Sequence, residues 1–564
     1  MTDDPAVPGA LVHPRAKVPR PRILFTSVFG PYAKDDEYGS RAINPMELYH
    51  NQVTRGQGPF SLRMFHRSWG LMLLRDNISA PNALLDFPSL DRFIGELRGE
   101  HYDVVAISAI PPNYLKAEKM CRLIREHQPH AEIVVGGHIS GLPRLKERLG
   151  ADHVVRGEGV RWFRRFLGED ADAPIRHPRI LSGIGTRTMG LRLKERSGDT
   201  AATLIPSVGC PMGCNFCATS AMFGGRGKFV SFYETGDELF REMVGIERDM
   251  RVQSFFVMDE NFLLHKKRAL RLLELMKEHG RSWSLYVFSS ANVLKSYSMD
   301  QLVGLGISWV WMGLEGKSSR YVKLQGADTT SVVRTLQAHG ISVLGSTIIG
   351  LEEHTPENMA EAIEHAVGHD TEFHQFMLYT PVPGTPLFEE HRANGTLLDP
   401  EWKDSTDMHG QLRFAHRHPH LPPGSEGEWL LRAFRRDFEA NGPSILRMAR
   451  TAFRGWLRYR DDADARIRAR FRREAERLPV DYAAAVWAVR RYFRSRPDIR
   501  RRADELLRQL RSEFGLKCRV ASSFGGRFLH RMLHREERRL ARGVTYEPPT
   551  FYERSDDLPI RQPA

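Results

Sequence analysis

Short apolar runs alternate with amphipathic ones in two separate series along this chain, and that alternation constrains the fold more than any other feature. The first series reads RILFTSV (22–28), NALLDF (82–87), DVVAISAI (103–110), AEIVVGG (131–137) and HVVRGEG (153–159). Helix-like segments such as KAEKMCRLIREH (116–127) stand between them. The second series reads TLIPSVG (203–209), SFFVMDE (254–260), SLYVFSS (284–290), SWVWMGLE (308–315), SVLGSTIIG (342–350) and FHQFMLYTPV (373–382). Strands separated by helices at this spacing imply parallel sheets covered on both faces, and ligands of such sheets gather at the carboxyl ends of the strands.

The α/β pattern therefore predicts a doubly wound, Rossmann-like (flavodoxin-like) domain over 21–170 and a linker over 171–200. A barrel follows over 201–395. Its six β/α units fall short of the eight of a closed barrel, so it is expected to be a partial (β/α)6 barrel. Past Pro400 the strand signal ends, and 396–545 reads as an Arg-rich helical region. Residues 1–20 and 546–564 read as tails. The polar stretch between 32 and 68 carries no functional signal.

Of the 564 residues, 41% are hydrophobic and 27% charged, the balance of a globular protein, which excludes a mainly disordered chain or a collagen-like repeat. No run reaches the ~18 uninterrupted apolar residues of a membrane span. The start, MTDDPAVPGALVHPRAKVPRPR, lacks an apolar core like that of a signal peptide, so a cytoplasmic location is expected. Lys and Arg exceed Asp and Glu by 82 to 69. Nearly all of that excess of 13 lies between Arg447 and Arg511, with 20 Arg, no Lys and 9 acidic residues. Such a segment is either a solvated helical face or a surface for anionic lipid, a carrier protein or nucleic acid. The acidic residues interleaved with Arg450, Arg454, Arg458 and Arg468 argue against nucleic acid.

Five cysteines are too few for a disulfide framework. Cys121 sits on an amphipathic segment as a small core residue, and Cys518 has no companions. The other three form Gly209-Cys210-Pro-Met-Gly-Cys214-Asn-Phe216-Cys217 at the end of the first barrel strand, a Cys-x3-Cys-x2-Cys spacing. Clustered thiolates suit a soft metal centre. Three ligands leave one iron of a 4Fe–4S cluster open, structural zinc would want a fourth ligand, and a dithiol redox motif would leave one cysteine unexplained. His416, His418 and His420 in FAHRHPHLPPG (414–424) read as solvent-facing or substrate-side polar groups rather than metal ligands.

The spacing, with Phe216 before the last cysteine, resembles the signature of the radical S-adenosylmethionine (SAM) superfamily. The resemblance implies that Cys210, Cys214 and Cys217 hold a 4Fe–4S cluster whose open iron chelates SAM, which an electron from an external donor such as flavodoxin or ferredoxin cleaves to a 5′-deoxyadenosyl radical. Phe216, Ser289, Glu315, Ile348 and Tyr379 are then the SAM-contact candidates. Glu315 ends a strand where a carboxylate meets ribose hydroxyls or the SAM ammonium, and Ile348 precedes a glycine that permits close approach of adenine. The GGE-like element common after the second barrel strand is replaced by Met258-Asp259-Glu260-Asn261.

A doubly wound domain ahead of such a core resembles the cobalamin-binding subfamily. The likeness rests on Ser108, Gly136-Gly137-His138 and Arg156-Gly157-Glu158-Gly159, and it implies cobalamin contacts at Ser108, Gly136, Gly137, Gly157 and Glu158. The Asp-x-His-x-x-Gly loop that supplies an axial histidine elsewhere is absent: Ser27-Val-Phe-Gly-Pro-Tyr follows the first strand. Cobalamin is therefore expected without a histidine from that loop, with His138 bonded locally. The subfamily implies methylation of an unactivated carbon in a lipid or secondary-metabolite small molecule. Corrinoid-free coupling or cyclisation with a vestigial domain, or RNA modification, are the alternatives. Basic C-terminal helices against a membrane or carrier protein complete the expected contacts.

Overall fold

The computed structural model describes residues 13–33, 37–39, 43–44, 46–195, 200–260, 262–314, 328–403 and 406–555. Its first sheet contains parallel strands β1 (Ile23–Ser27), β2 (Asn82–Asp86), β3 (Val104–Ser108), β4 (Glu132–Gly136) and β5 (His153–Val154). They lie in the order β2-β1-β3-β4-β5, the flavodoxin-like winding. Alternate residues of each strand go to opposite faces. Leu24, Leu85, Val105, Ile107, Ile133 and Val135 pack with Phe93, Met120 and Ile124. Ile23, Phe25, Leu84, Val104, Ala106 and Val134 pack with Leu71, Phe163 and Phe166. Burial on both sides is why these strands read as unbroken apolar runs.

The second sheet holds β6 (Ala202–Leu204), β7 (Ser254–Val257), β8 (Ser284–Ser289), β9 (Ile307–Gly313), β10 (Ser342–Ile349) and β11 (Phe373–Leu378). All six pair in parallel, each with its sequence neighbour, in an open array. This is the partial barrel expected from six β/α units.

Three expectations need correction. The 546–564 segment is not simply a tail: β12 (Phe551–Arg554) adds antiparallel to the outer edge of β2, with Phe551 opposite Asp86 and Arg554 opposite Ala83. An apolar edge strand left bare invites pairing, and this one is covered by a segment more than 450 positions away, which no local pattern signals. Nor is 171–200 a plain linker: Ile184–Thr188 pairs with Leu191–Arg192 and with Arg63–Phe65, from the stretch that carried no signal.

The Arg-rich region (helices Glu426–Asn441, Ser444–Tyr459, Ala465–Ala475, Ala483–Tyr492 and Pro497–Ala541, the last broken at Gly515) is only in part a solvated face. Arg447 and Arg470 are almost fully buried. Arg470 donates to Val303 O and Ile307 O at 2.9 and 2.8 Å, Arg473 to Ser282 O at 2.5 Å, and Arg447 to Thr371 O at 2.6 Å. These carbonyls precede or open barrel strands. The guanidinium forks thus fasten the helices to the amino end of the barrel, opposite the end where ligands bind. Among the described residues no helix is long and apolar enough to cross a membrane.

Candidate functional site

The cysteine loop leaves β6 through a short strand, Ser207–Val208, that pairs antiparallel with Val230–Ser231 and closes the loop at its base. Gly209 and Gly213 hold φ of +89° and +67°, and a Cβ on either would come within 2.6 Å of Phe223 or Arg226. Both positions therefore require glycine. Cys217 N donates to Cys214 O at 3.0 Å, Ser220 Oγ to Cys210 O at 2.7 Å, and Leu387 N to Asn215 O at 3.0 Å. These bonds hold the loop's turns and anchor it to the far side of the barrel.

All three cysteines line one cavity of about 380 Å³ at the carboxyl ends of the barrel strands, within the roughly 300–1,000 Å³ of small-molecule sites. Among the described residues no three of His, Cys, Asp or Glu converge on a point where a single ion could be held. A lone zinc needs that convergence; a cubane, in which each thiolate takes a different iron, does not. Burial pushes the Cys210 thiol up to about 11, with Cys217, Glu260 and Cys214 adding to it, so a bound metal's charge is what would make it a thiolate at neutral pH.

Four of the five SAM candidates, Phe216, Ser289, Ile348 and Tyr379, line this same cavity. Glu315 lies outside the described residues. Ser289 Oγ is buried with no hydrogen-bond partner in the protein, an atom a bound ligand would satisfy. Of the Asp259-Glu260 pair, Asp259 is fully buried and paired with Arg268 at 2.7 Å, whereas Glu260 lines the cavity and burial raises its carboxyl to about 7. His409 was not singled out from sequence. It also lines the cavity, and both its ring nitrogens are buried without partners. A lone histidine in a loop past the last barrel strand carries no sequence signal; the bond from Leu378 N to Gly410 O brings it back to the barrel mouth.

The three loop histidines divide differently from expectation. His416 is buried against His391 and Phe414 with ring centroids 4.4 and 5.2 Å away. His418 Nδ1 accepts from His420 N and Leu421 N, which fixes a turn, and His420 is exposed.

In the first domain, Ser108, Gly136, Gly137, Gly157 and Glu158 come together around a slot of about 170 Å³. Its walls are apolar, from Leu71, Leu74, Ala106, Val134 and Phe163. Glu158 is committed elsewhere: its carboxylate accepts from Val160 N and Arg161 N and caps the helix Gly159–Leu167. No histidine lines the slot among the described residues, and His138 stands outside it. The slot's remaining wall comes from Val208, Met222, Phe223 and Phe232, which flank the cysteine loop. Arg156 reinforces that seam by donating to Gly384 O at 2.8 Å.

A flavodoxin-like domain whose strand-end slot abuts a cysteine loop at the mouth of an open barrel defines an enzyme with two cofactor compartments. Residues 74–167 match the B12 binding domain family and residues 204–366 match the Radical SAM superfamily. The chain is 26% identical over 348 residues to an uncharacterized methyltransferase of Pyrococcus horikoshii, covering 56% of this chain and 74% of that one. It is 24% identical over 365 residues to an anaerobic magnesium-protoporphyrin IX monomethyl ester cyclase of Cereibacter sphaeroides (56% and 58%). It is 26% identical over 322 residues to a hopanoid C-2 methylase of Rhodopseudomonas palustris (54% and 60%). The pairing of these two domains, with relatives named as methyltransferases, supports a cobalamin-dependent radical SAM family for this chain. Its two domains imply a 4Fe–4S cluster, SAM and cobalamin.

Proposed function

We propose that this enzyme methylates an unactivated carbon of a small molecule, with a lipid or secondary-metabolite intermediate as substrate class. The observation that carries the reading is the shared wall: residues 208–223 line the cluster cavity with Cys210, Cys214 and Cys217, and the first-domain slot with Val208, Met222 and Phe223. A methyl group passed between two cofactors needs such adjoining compartments, because both reacting ends must reach one substrate atom without water between them. When bound, cluster-held SAM supplies a carbon-centred radical and cobalamin supplies the methyl group.

The chain's own residues have separable tasks. Cys210, Cys214 and Cys217 would hold the cluster. Ser289 and His409 offer the partnerless polar atoms of the SAM cavity, while Phe216 and Tyr379, 6.2 Å apart edge to face, close one side of it. The slot's size and apolar walls suit the planar base of cobalamin, not its macrocycle. Its histidine-free lining supports binding without an axial histidine from this domain. The electron comes from an external donor of the flavodoxin or ferredoxin kind. The substrate class draws on the relative named a hopanoid methylase.

The test is corrinoid bound per chain after anaerobic reconstitution with cobalamin supplied, followed by product analysis. Near-stoichiometric corrinoid without a histidine-ligated spectrum, and 5′-deoxyadenosine and S-adenosylhomocysteine formed together, are expected. Corrinoid-free protein with an intact cluster would overturn the reading in favour of coupling or of cyclisation, the second being the chemistry named for the cyclase relative.

A further inference from the structure

The last long helix breaks at Gly515, where φ is +61° and ψ −140°. Beyond the break it presents two unlike faces. Cys518, Ser522, Gly526 and Leu533 are buried, with Gly526 seated against Trp487. On the opposite side Leu516, Val520, Phe524 and Phe528 are 75%, 49%, 70% and 53% exposed. Their spacing of four puts them in one row. A lone exposed leucine is ordinary; a row that includes two exposed phenylalanines on a surface helix is not.

The charges around the row have one sign. From Leu516 to Arg535 the sequence carries Lys517, Arg519, Arg527, Arg531 and Arg535 and no acidic residue. All five cations are exposed. This differs from the preceding helices, where the arginines at 447, 470 and 473 are taken up by backbone carbonyls of the barrel and by carboxylates.

We propose that residues 516–535 form an in-plane membrane anchor that seats Leu516, Val520, Phe524 and Phe528 among the acyl chains of an anionic bilayer, with the basic side chains at the phosphates. Aromatic and aliphatic residues along one face with cations beside them match the physics of interfacial helices. Each cation near an anionic leaflet adds attraction that salt screens. The single sign of charge disfavours a second copy of this chain as occupant, since a two-fold contact would set five cations against five. A helix ridge is also convex, which suits a deformable lipid phase.

The experiment is co-sedimentation of the full chain, reconstituted with its cluster, on vesicles of phosphatidylglycerol and phosphatidylcholine, and on phosphatidylcholine alone. Binding to the anionic vesicles is expected to fall at least about tenfold on neutral vesicles and severalfold in high salt. Phe524→Ala with Phe528→Ala should lower it by on the order of tenfold or more, with the thermal midpoint and the rate of SAM cleavage unchanged. Phe524→Glu with Phe528→Glu should abolish it. Absence of binding by the unaltered chain at low salt overturns the anchor, as does equal binding by the double variants. A dimer in sedimentation velocity that the same variants dissolve, without vesicle binding, assigns the ridge to a second copy instead.

Discussion

The slot in the first domain and the cavity at the barrel mouth are built on the same principle and lined by opposite chemistry. Both sit at the carboxyl ends of parallel strands, and the flanks of the cysteine loop wall both. The slot is nearly all glycine and hydrocarbon, and its one carboxylate, Glu158, is occupied capping a helix. The cavity carries three thiols, a half-buried carboxyl at Glu260 with its affinity for protons raised, and partnerless polar atoms on Ser289 and His409. On the proposed function the difference is one of task. A compartment that recognises a group by shape needs complementarity and few polar atoms; one that would bind a metal cluster and a zwitterion must hold polar atoms ready for them.

The division breaks most completely at the thiols. Cys214→Ala should lose iron, sulfide and SAM cleavage together, measured as metal content and 5′-deoxyadenosine after reconstitution, while the first domain keeps its fold. Cleavage retained by this variant would remove Cys214 from the ligand set. The converse variant fills the slot. At Gly136 an added Cβ meets only Val155, at 3.7 Å or more, so Gly136→Leu should fold. It should lower corrinoid occupancy by at least about tenfold, leaving the cluster and uncoupled SAM cleavage in place. Loss of the cluster in step with the corrinoid would show that the shared wall of Met222 and Phe223 makes one site of the two.

His409→Phe sharpens the comparison from inside the cavity, by giving it a slot-like surface. A buried polar partner lost to a ligand costs on the order of tenfold in affinity, so SAM should bind about that much more weakly at unchanged iron content. Equilibrium dialysis reads it. Unaltered affinity would mean that the histidine faces the co-substrate rather than SAM.

What could be seen in the sequence follows the same line. That strand-end glycines and Ser108 line the slot was legible because they sit at fixed points of a period-2 pattern, and the shared cavity of the three cysteines because they fall within eight positions. Ser289 was found as a strand end. His409 was not, because the contact that makes it a lining residue comes from a chain reversal between Leu378 and Gly410 that leaves no local signature. The edge strand β12 escaped for the same reason, with its partner at the other end of the chain. The arginines of 447–473 were misread in part because composition reports charge and not partners. A guanidinium that fastens a helix to a barrel and one that faces water look alike in sequence.

Acid tests the seam between the two compartments. His177 lies between the domains, buried, and its Nε2 accepts from Ile205 N at 2.9 Å, just after β6, while Nδ1–H donates to Pro178 O at 2.7 Å. Protonation would turn the acceptor into a donor facing a donor, and burial holds the imidazole down at about 4. The unfolded chain takes up this proton near pH 6.5. The stability from the neutral ring is therefore complete above pH 6.5 and declines as pH falls toward 4, by on the order of 3 kcal/mol for this residue. His66, also held at about 4 by burial, adds a decline of the same sign. Denaturant unfolding at pH 7.5 and 5.0 should show the loss. His177→Gln, which keeps an acceptor for Ile205 but cannot charge, should start less stable and lose less on acidification. If the variant and the unaltered chain fall in parallel, the acid sensitivity lies elsewhere, and the seam between slot and cavity holds regardless of this ring.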